Sequence, residues 1–330
     1  MNPKTLMSSV LFCSILVLLA SCSYAVLSTI VSLAVRAGYG IPVVLVGKFF
    51  YGWIILFIIV LIVFALYKHQ RISWNKKRIL SLAGTGVVMA LVTVCYFNSL
   101  GYLPISLAVV LLFQYSWMGV VIESIANRRL PSKSKIISCL VIITGTILAG
   151  GILGSSLSIS EMNLIGILLG LSAAFCYALF VFLSGRVSTD MSPLSKSFSI
   201  STSGMLFVML FVGAVYGGTF VLEGITNVGS LAYSLPLGLF GIAIPIILLA
   251  VGAPKLSTGM ATILNSAELP LEVLLAAVII LEQVSPLRWV GVLIILFGRT
   301  PLPYRKTDCK RVRGVRRTGY LLPRFQKAQR

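Results

Sequence analysis

Ten apolar runs constrain this chain more than any other feature of its sequence. A helix rises 1.5 Å per residue and needs about 20 apolar residues to cross the hydrocarbon of a bilayer. Only 11% of the residues are charged and 58% are hydrophobic, whereas about a quarter of an ordinary soluble domain is charged. We therefore predict an all-α polytopic membrane protein with ten transmembrane helices. The predicted spans lie near residues 8–34, 42–67, 79–99, 103–125, 136–154, 164–185, 197–217, 231–251, 254–280 and 287–298.

The positive charges predict the orientation of these spans. The formal net charge is +19, and 24 of the 27 Lys and Arg residues fall on one side if the N-terminus is cytoplasmic. Only Arg36 and Arg288 fall on the other side, and Lys48 lies within the second span. By the positive-inside rule, both termini are cytoplasmic. Because the charge flanks apolar runs and collects in the C-terminal tail, we expect a lipid bilayer as its partner and no nucleic acid.

A weak internal repeat relates the two halves at a constant offset of 153 residues, which aligns Tyr24 with Tyr177. Each repeat holds five spans. Because five is an odd number, the second repeat must be inverted in the membrane relative to the first, and carriers built in this way bind their substrate near the midplane between the repeats. We predict one five-helix repeat over residues 1–155 and a second over residues 156–298.

The ninth run, Ser257–Glu282, carries two carboxylates and a proline in apolar surroundings. A carboxylate near the bilayer centre costs about 2.5–3.5 kcal/mol, so Glu268 and Glu272 should face a cavity, a partner or a proton path. Their spacing of four places them on one helical face, with Asn265 on the same stripe. Pro270 should kink the helix and free a backbone carbonyl. These residues either line a transport site or form a packing kink whose carboxylates bond to neighbouring helices.

Two segments resemble helix signatures of the EamA-type drug/metabolite transporter superfamily. Residues 96–123, YFNSLGYLPISLAVVLLFQYSWMGVVIE, are similar to its fourth helix, and residues 252–298, which include LEQVSPLRWVG, are similar to its ninth and last helices. The resemblance covers residues 8–298. It implies a secondary carrier of small molecules, often an exporter of amino acids or other small metabolites, in the cytoplasmic membrane of a bacterium.

The resemblance also implies which residues line the transport cavity. In the superfamily the cavity is lined chiefly by the first, third, fourth, sixth, eighth and ninth helices. Tyr24 and Tyr177 hold equivalent positions in the two repeats, where they could cap the cavity or be ordinary buried tyrosines. Asn98, Gln114 and Trp117 offer hydrogen bonds and a flat apolar wall to a pocket, or hydrogen bonds between helices.

Two departures from the superfamily pattern limit how far site residues can be transferred from it. Arg129 stands in the first repeat where the second has Glu282, and Lys48 stands where the family commonly has an arginine. Lys48 lies about two turns into its span and could pair with a carboxylate inside, but snorkelling to the outer surface is the favoured interpretation. Glu123 is expected to reach water beside Arg128.

The expected mechanism is alternating access, in which the two inverted halves rock around the substrate. Glu268 and Glu272 are the candidate coupling groups, since a carboxyl in apolar surroundings holds its proton more tightly than in water. Protons are therefore the candidate coupling ion.

Other classes of function are less well supported by the sequence. The six cysteines form no C-x-x-C pair and none neighbours the only histidine, His69, so we expect no metal site and no cofactor. The chain has no HExxH motif, and we expect no enzyme activity. A non-transporting receptor or scaffold, a facilitative importer and a channel stay as alternatives, although no ring of charge typical of a channel is apparent. A homodimer is left open.

The basic tail over residues 299–330 follows the short tenth run directly, with 11 Lys or Arg residues against one acid, Asp308. Anionic lipid could hold it at about 1 kcal/mol per basic residue. The favoured interpretation is that a frameshift or read-through replaced the native last turns and left a disordered tail. Deleting residues 306–330 should therefore leave the rate of substrate flux unchanged in cells, and an inactive truncation would contradict this interpretation.

Overall fold

A computed structural model describes residues 3–66, 75–99, 101–103, 105–149, 163–279 and 284–297. All regular secondary structure in these ranges is helical. The α-helices are α1 (Pro3–Arg36), α2 (Ile41–Leu66), α3 (Lys76–Ser99), α4 (Ile105–Leu112), α5 (Tyr115–Asn127), α6 (Lys133–Ala149), α7 (Leu164–Ser184), α8 (Pro193–Val215), α9 (Gly218–Thr226), α10 (Val228–Gly238), α11 (Ile244–Gly252), α12 (Thr258–Asn265), α13 (Glu268–Ile279) and α14 (Pro286–Phe297). A π-helical turn, Leu239–Ala243, joins α10 to α11, and a 3-10 turn, Ala253–Lys255, follows α11. The predictions for His69, Glu282 and residues 299–330 lie outside the described ranges.

Eight helical segments are long and apolar enough to cross a membrane, so the predicted class of integral membrane protein is confirmed. They are Val10–Arg36, Ile41–Leu66, Lys76–Ser99, Leu107–Asn127, Leu164–Ser184, Pro193–Val215, Val228–Lys255 and Thr258–Ile279. The predicted fifth and tenth spans correspond to α6 and α14, which have 17 and 12 described residues and are shorter.

Two of the predicted continuous spans are interrupted. The fourth consists of α4 and α5, separated by Phe113 and Gln114, and the ninth consists of α12 and α13, separated by Ser266 and Ala267. Pro270 is the third residue of α13, where its missing N–H costs no intrahelical hydrogen bond. Pro270 is therefore compatible with α13, and the interruption lies just before that helix.

The helices pack around a core that includes the large buried side chains Phe49, Phe113, Tyr115 and Phe180. Helix α1 packs against α10, α11, α12 and α13, while α7 packs against α3, α4 and α5. Further pairs form between α2 and α8, α2 and α10, α3 and α8, α5 and α12, and α6 and α14. Most of these contacts join residues before 155 to residues after 156, so the two halves of the chain share one core.

Candidate functional site

A cavity of about 520 Å³ lies where α1, α2, α3, α4, α7 and α13 converge. Its wall extends from Glu268 and Glu272 to Val35, Arg36 and Ile41, which lie at the end of α1 and the start of α2. Arg36 is exposed, so the cavity reaches the surface at this end of the bundle. A cavity of this size, with a largely apolar wall and a few polar groups, has the character of a small-molecule site.

The two carboxylates of the ninth span both line this cavity. Glu268 is the first residue of α13, and Glu272 follows one turn later on the same face. The positive end of the helix dipole lies at the first turn, where it stabilises negative charge. The interruption before Glu268 thus provides a favourable position for a carboxylate inside an otherwise apolar bundle.

Three tyrosines form the wall of the cavity next to Glu268. The rings of Tyr24 and Tyr177 meet edge to face with centroids 6.0 Å apart, and Tyr115 meets Tyr177 in the same way at 4.4 Å. Asn265 does not line the cavity but donates from Nδ2 to the Tyr177 hydroxyl at 3.3 Å. Its main-chain oxygen accepts a hydrogen bond from Ser21 at 2.7 Å. The end of α12 is therefore tied to both α1 and α7.

Lys48 also lines the cavity, and the prediction that it snorkels to the outer surface is wrong. Its side chain is buried, with 6% of the residue exposed. The ammonium nitrogen lies 3.4 Å from Thr93 Oγ1 and 5.7 Å from the centre of the Phe49 ring. Lys48 and Glu268 are close enough for their charges to interact.

The predicted residues Asn98, Gln114 and Trp117 lie outside the cavity wall. Asn98 donates to the Val94 carbonyl at 2.8 Å and accepts a hydrogen bond from the Tyr216 hydroxyl at 3.0 Å. Gln114 donates to the carbonyl four residues before it at 2.9 Å and accepts from Trp117 Nε1 at 2.9 Å. All three side chains thus have polar partners within the protein, outside the cavity.

Several cavity residues were not predicted from the sequence. They are Tyr115, Thr93, Tyr96 and Arg36, and all of them line the cavity with Lys48. The internal repeat could have identified Tyr115, because the offset of 153 residues aligns it with Glu268.

A cluster of polar contacts closes the other end of the bundle. The Glu123 carboxylate accepts hydrogen bonds from Lys135 Nζ and from the Gly259 backbone N–H, both at 2.8 Å, and Lys135 also donates to Ser257 Oγ at 2.9 Å. We call these four residues the Glu123 cluster. The prediction that Glu123 reaches water beside Arg128 is wrong, because its carboxylate is held between α6 and the start of α12.

Two more polar links join the halves at the same end. Arg186 donates to the Asn127 side chain at 2.8 Å, and Arg78 pairs with Asp190. These residues border the segments that carry most of the Lys and Arg residues, opposite the end at which the cavity reaches the surface. Within the described ranges, no group of three or more His, Cys, Asp or Glu side chains could hold a metal ion.

Comparison with known proteins gives one family. Residues 164–300 match the EamA-like transporter family. The second half of the chain is therefore similar to the EamA-like transporter family, part of the drug/metabolite transporter superfamily. The resemblance noted in the sequence is therefore confirmed, and the coarse function is that of a membrane transporter of the drug/metabolite type. The matched EamA-like half supplies Tyr177, Glu268 and Glu272 to the cavity.

Solved structures share the fold of this EamA-like protein. One crystal structure, described only as that of a protein, has a TM-score of 0.67, with 88% of this chain and 96% of that chain covered at 15% sequence identity. A likeness at this identity shows the fold alone. No curated protein matches the chain.

Proposed function

We propose that this EamA-like protein is a secondary active transporter that exports a small metabolite, such as an amino acid, by alternating access between two inverted five-helix repeats. The observation that carries the proposal is the cavity itself. It contains two carboxylates at an interrupted helix, inside a bundle whose other cavity-lining positions are largely apolar or aromatic. Ionisable groups are costly at this depth, and in membrane proteins they mark substrate or ion pathways.

The interruptions support the inverted repeat. The turn at residues 113–114 and the turn at residues 266–267 are separated by 153 residues, which is the offset of the sequence repeat. Interrupted helices at corresponding positions of two repeats are typical of the substrate sites of secondary transporters. The offset also pairs Tyr115 with Glu268, the first residues of α5 and α13.

The packing of the helices supports the same proposal. A two-fold axis that exchanges the repeats requires every contact between helices to occur twice or to cross the axis. The contacts of α1 with α10 to α13 correspond under the offset to those of α7 with α3 to α5, and those of α2 with α10 correspond to those of α8 with α3. The pairs between α2 and α8 and between α6 and α14 are their own equivalents, whereas the pair of α5 with α12 would correspond to α4 with α13, which make few or no contacts among the described residues.

The two ends of the bundle differ as alternating access requires. The cavity reaches the surface beside Arg36, whereas the Glu123 cluster and the Asn127–Arg186 and Arg78–Asp190 links join the halves at the other end. With the basic segments in the cytoplasm, this arrangement corresponds to an outward-open state. Inward opening then requires the links to separate.

The export experiment tests the proposal directly. Cells that overproduce the full chain are compared with cells that overproduce the Glu268→Ala/Glu272→Ala variant at matched membrane levels, and the small molecules of the medium are measured. We expect at least one compound to accumulate only with the unmodified chain, which would also establish export as the direction. If the media of both cultures contain the same small molecules, and purified protein in vesicles shows no saturable flux, the results would support a receptor or scaffold instead.

Loss of the Glu123 contacts should favour the inward-open state. Glu123→Gln removes the ion pair with Lys135 and weakens the bond to the Gly259 N–H. Polar contacts between membrane helices contribute about 0.6–1.7 kcal/mol, so we expect the ratio of inward-open to outward-open protein to rise roughly threefold to twentyfold. The measurement is the rate at which a maleimide labels Cys139 in a chain from which the other five cysteines have been removed. Cys139 is buried beside Val120 and Ile263 near this end of the bundle.

Glu223→Gln is the control for the labelling measurement, because Glu223 is an exposed carboxylate on α9, away from the cluster. Its Cys139 labelling should equal that of the parent chain. Labelling of the Glu123→Gln variant that stays at the parent level would contradict a gating role for the cluster.

A further inference from the structure

We propose that Lys48 recognises an anionic group of the transported molecule, so that the substrate carries an anionic and a cationic group on a small apolar body. This inference rests on the proposed transport function and specifies the substrate class and the residue that selects it. It assigns the anionic group of the substrate to α2 of the first half and the cationic group to α13 of the second.

The environment of the Lys48 ammonium leaves it available to a ligand. A lysine ammonium has three hydrogen-bond donors. Among the described residues, the hydrogen bond found for Lys48 is the one to Thr93 Oγ1, which is long at 3.4 Å. The side chain is 6% exposed yet lines the cavity, so the cavity is its route to a further partner. A buried ammonium is stable only when it gains such partners.

The stem of Lys48 lies in a space that a glycine provides. Gly241 is the middle residue of the π-helical turn Leu239–Ala243. A Cβ at Gly241 would lie 2.9 Å from Lys48 Cε and 2.8 Å from Leu27 Cδ2, which is closer than non-bonded carbon atoms pack. π-helical turns occur frequently at functional sites. The fold therefore holds the lysine in a defined position beside the cavity.

Lys48 and Glu268 share the cavity without forming a direct ion pair. Their charges interact, but no nitrogen–oxygen distance of 4.0 Å or less joins them among the described residues. Two opposite charges that face one cavity and do not meet can be bridged by a molecule with both an ammonium and an anionic group. Such a ligand would also give each of the two charged groups a close partner of opposite charge.

The rest of the wall indicates the body of the substrate. Phe49, Met89, Val92, Phe97 and Phe113 line the same cavity as the charged groups. These side chains offer dispersion contacts and no hydrogen bonds, which suits an aliphatic or aromatic body. The chemical class is therefore a small zwitterion with an apolar side group, which the free apolar amino acids represent as probes.

The test compares amino acids with their amides, which keep the ammonium and lack the carboxylate charge. Binding of leucine, methionine and phenylalanine and of their three amides is measured by calorimetry on the purified full chain. We expect at least one amino acid to bind roughly tenfold or more tightly than its amide, as hydrogen bonds to charged groups contribute. Lys48→Met should remove this difference while affinity for the amide stays unchanged.

Two further variants separate recognition from folding. Lys48→Arg keeps the charge and should keep the preference for the amino acid over its amide. Lys76→Gln removes an exposed positive charge at the start of α3, outside the cavity wall, and should also keep the preference. Gly241→Ala retains Lys48 but displaces its stem, and it should reduce the preference as Lys48→Met does.

Two results would overturn the inference. An equal loss of affinity for the amino acid and its amide in Lys48→Met would show that Lys48 only maintains the fold. No preference for any amino acid over its amide in the unmodified chain would exclude the zwitterion class. Neither result affects the export experiment, which depends on Glu268 and Glu272 and detects a substrate of any class.

Discussion

Replacing Glu268 with glutamine should abolish the pH-driven component of transport. Glutamine keeps the shape of the side chain and one acceptor oxygen, but it cannot bind and release a proton. Glu268 begins α13, lines the cavity and lies close enough to Lys48 for their charges to interact. We expect flux driven by an imposed pH gradient to fall by at least about tenfold, because loss of a positioned proton-transfer group typically has an effect of this size or larger. The measurement uses purified protein in vesicles and the compound identified by the export experiment.

The other carboxylates serve as comparisons for this prediction. Glu272→Gln tests whether the second cavity carboxylate carries the proton instead, since it lies one turn away on the same face. Glu223→Gln changes an exposed carboxylate outside the cavity and should leave the pH response unchanged. If both Glu268→Gln and Glu272→Gln retain the full pH response, neither carboxylate couples protons to transport.

The membrane spans could be predicted because the bilayer imposes a length and an apolar composition on each of them. The interruption in the fourth span could not be predicted in the same way. Phe113 and Gln114 are not helix breakers, and the turn between α4 and α5 depends on packing against other helices. In the ninth span, Pro270 gave a local signal of an irregular helix. Applying the repeat offset to that signal would have indicated the first interruption.

Of the predicted site residues, the structure places the costly carboxylates at the cavity wall and the neutral amides away from it. An ionised carboxylate cannot donate a hydrogen bond to a carbonyl of its own helix, and both Glu268 and Glu272 line the cavity. Asn98 and Gln114 each donate to the carbonyl four residues earlier, so their helices satisfy them without a pocket. Composition and periodicity do not distinguish such a local hydrogen bond from a hydrogen bond to a ligand.

The position of Lys48 shows a second limit of sequence reasoning. A lysine seven residues into a span can extend to the membrane surface or turn into the bundle, and both directions are compatible with its depth. The structure decides between them through Gly241, which lies 193 residues later in the sequence and makes room for the lysine stem. A contact between such distant residues leaves no periodic pattern in the sequence.

Replacing Gly238 with alanine should destabilise the protein strongly and impair transport. Helices α2 and α10 meet where Gly238 faces Gly52, and a Cβ at Gly238 would overlap the Gly52 backbone nitrogen and lie 2.9 Å from the Tyr51 carbonyl carbon. Because a backbone cannot change rotamer to make room, the two helices must separate. Overpacking a tight site costs about 1–3 kcal/mol, and a clash with the backbone falls at or above the upper end of that range. The same separation would move Lys48 on α2 away from the π-helical turn that follows α10.

Gly84 provides the matched control for this substitution. It also lies within a transmembrane helix, α3, but it is exposed and a Cβ there would meet no atom within 4 Å. Alanine favours helix over glycine by about 0.8–1.0 kcal/mol, so Gly84→Ala should keep or raise the unfolding temperature in detergent. Gly238→Ala should lower that temperature and reduce flux at matched protein levels. Equal unfolding temperatures for the two variants would show that α2 and α10 do not depend on this close approach, because helix propensity alone favours alanine at both positions.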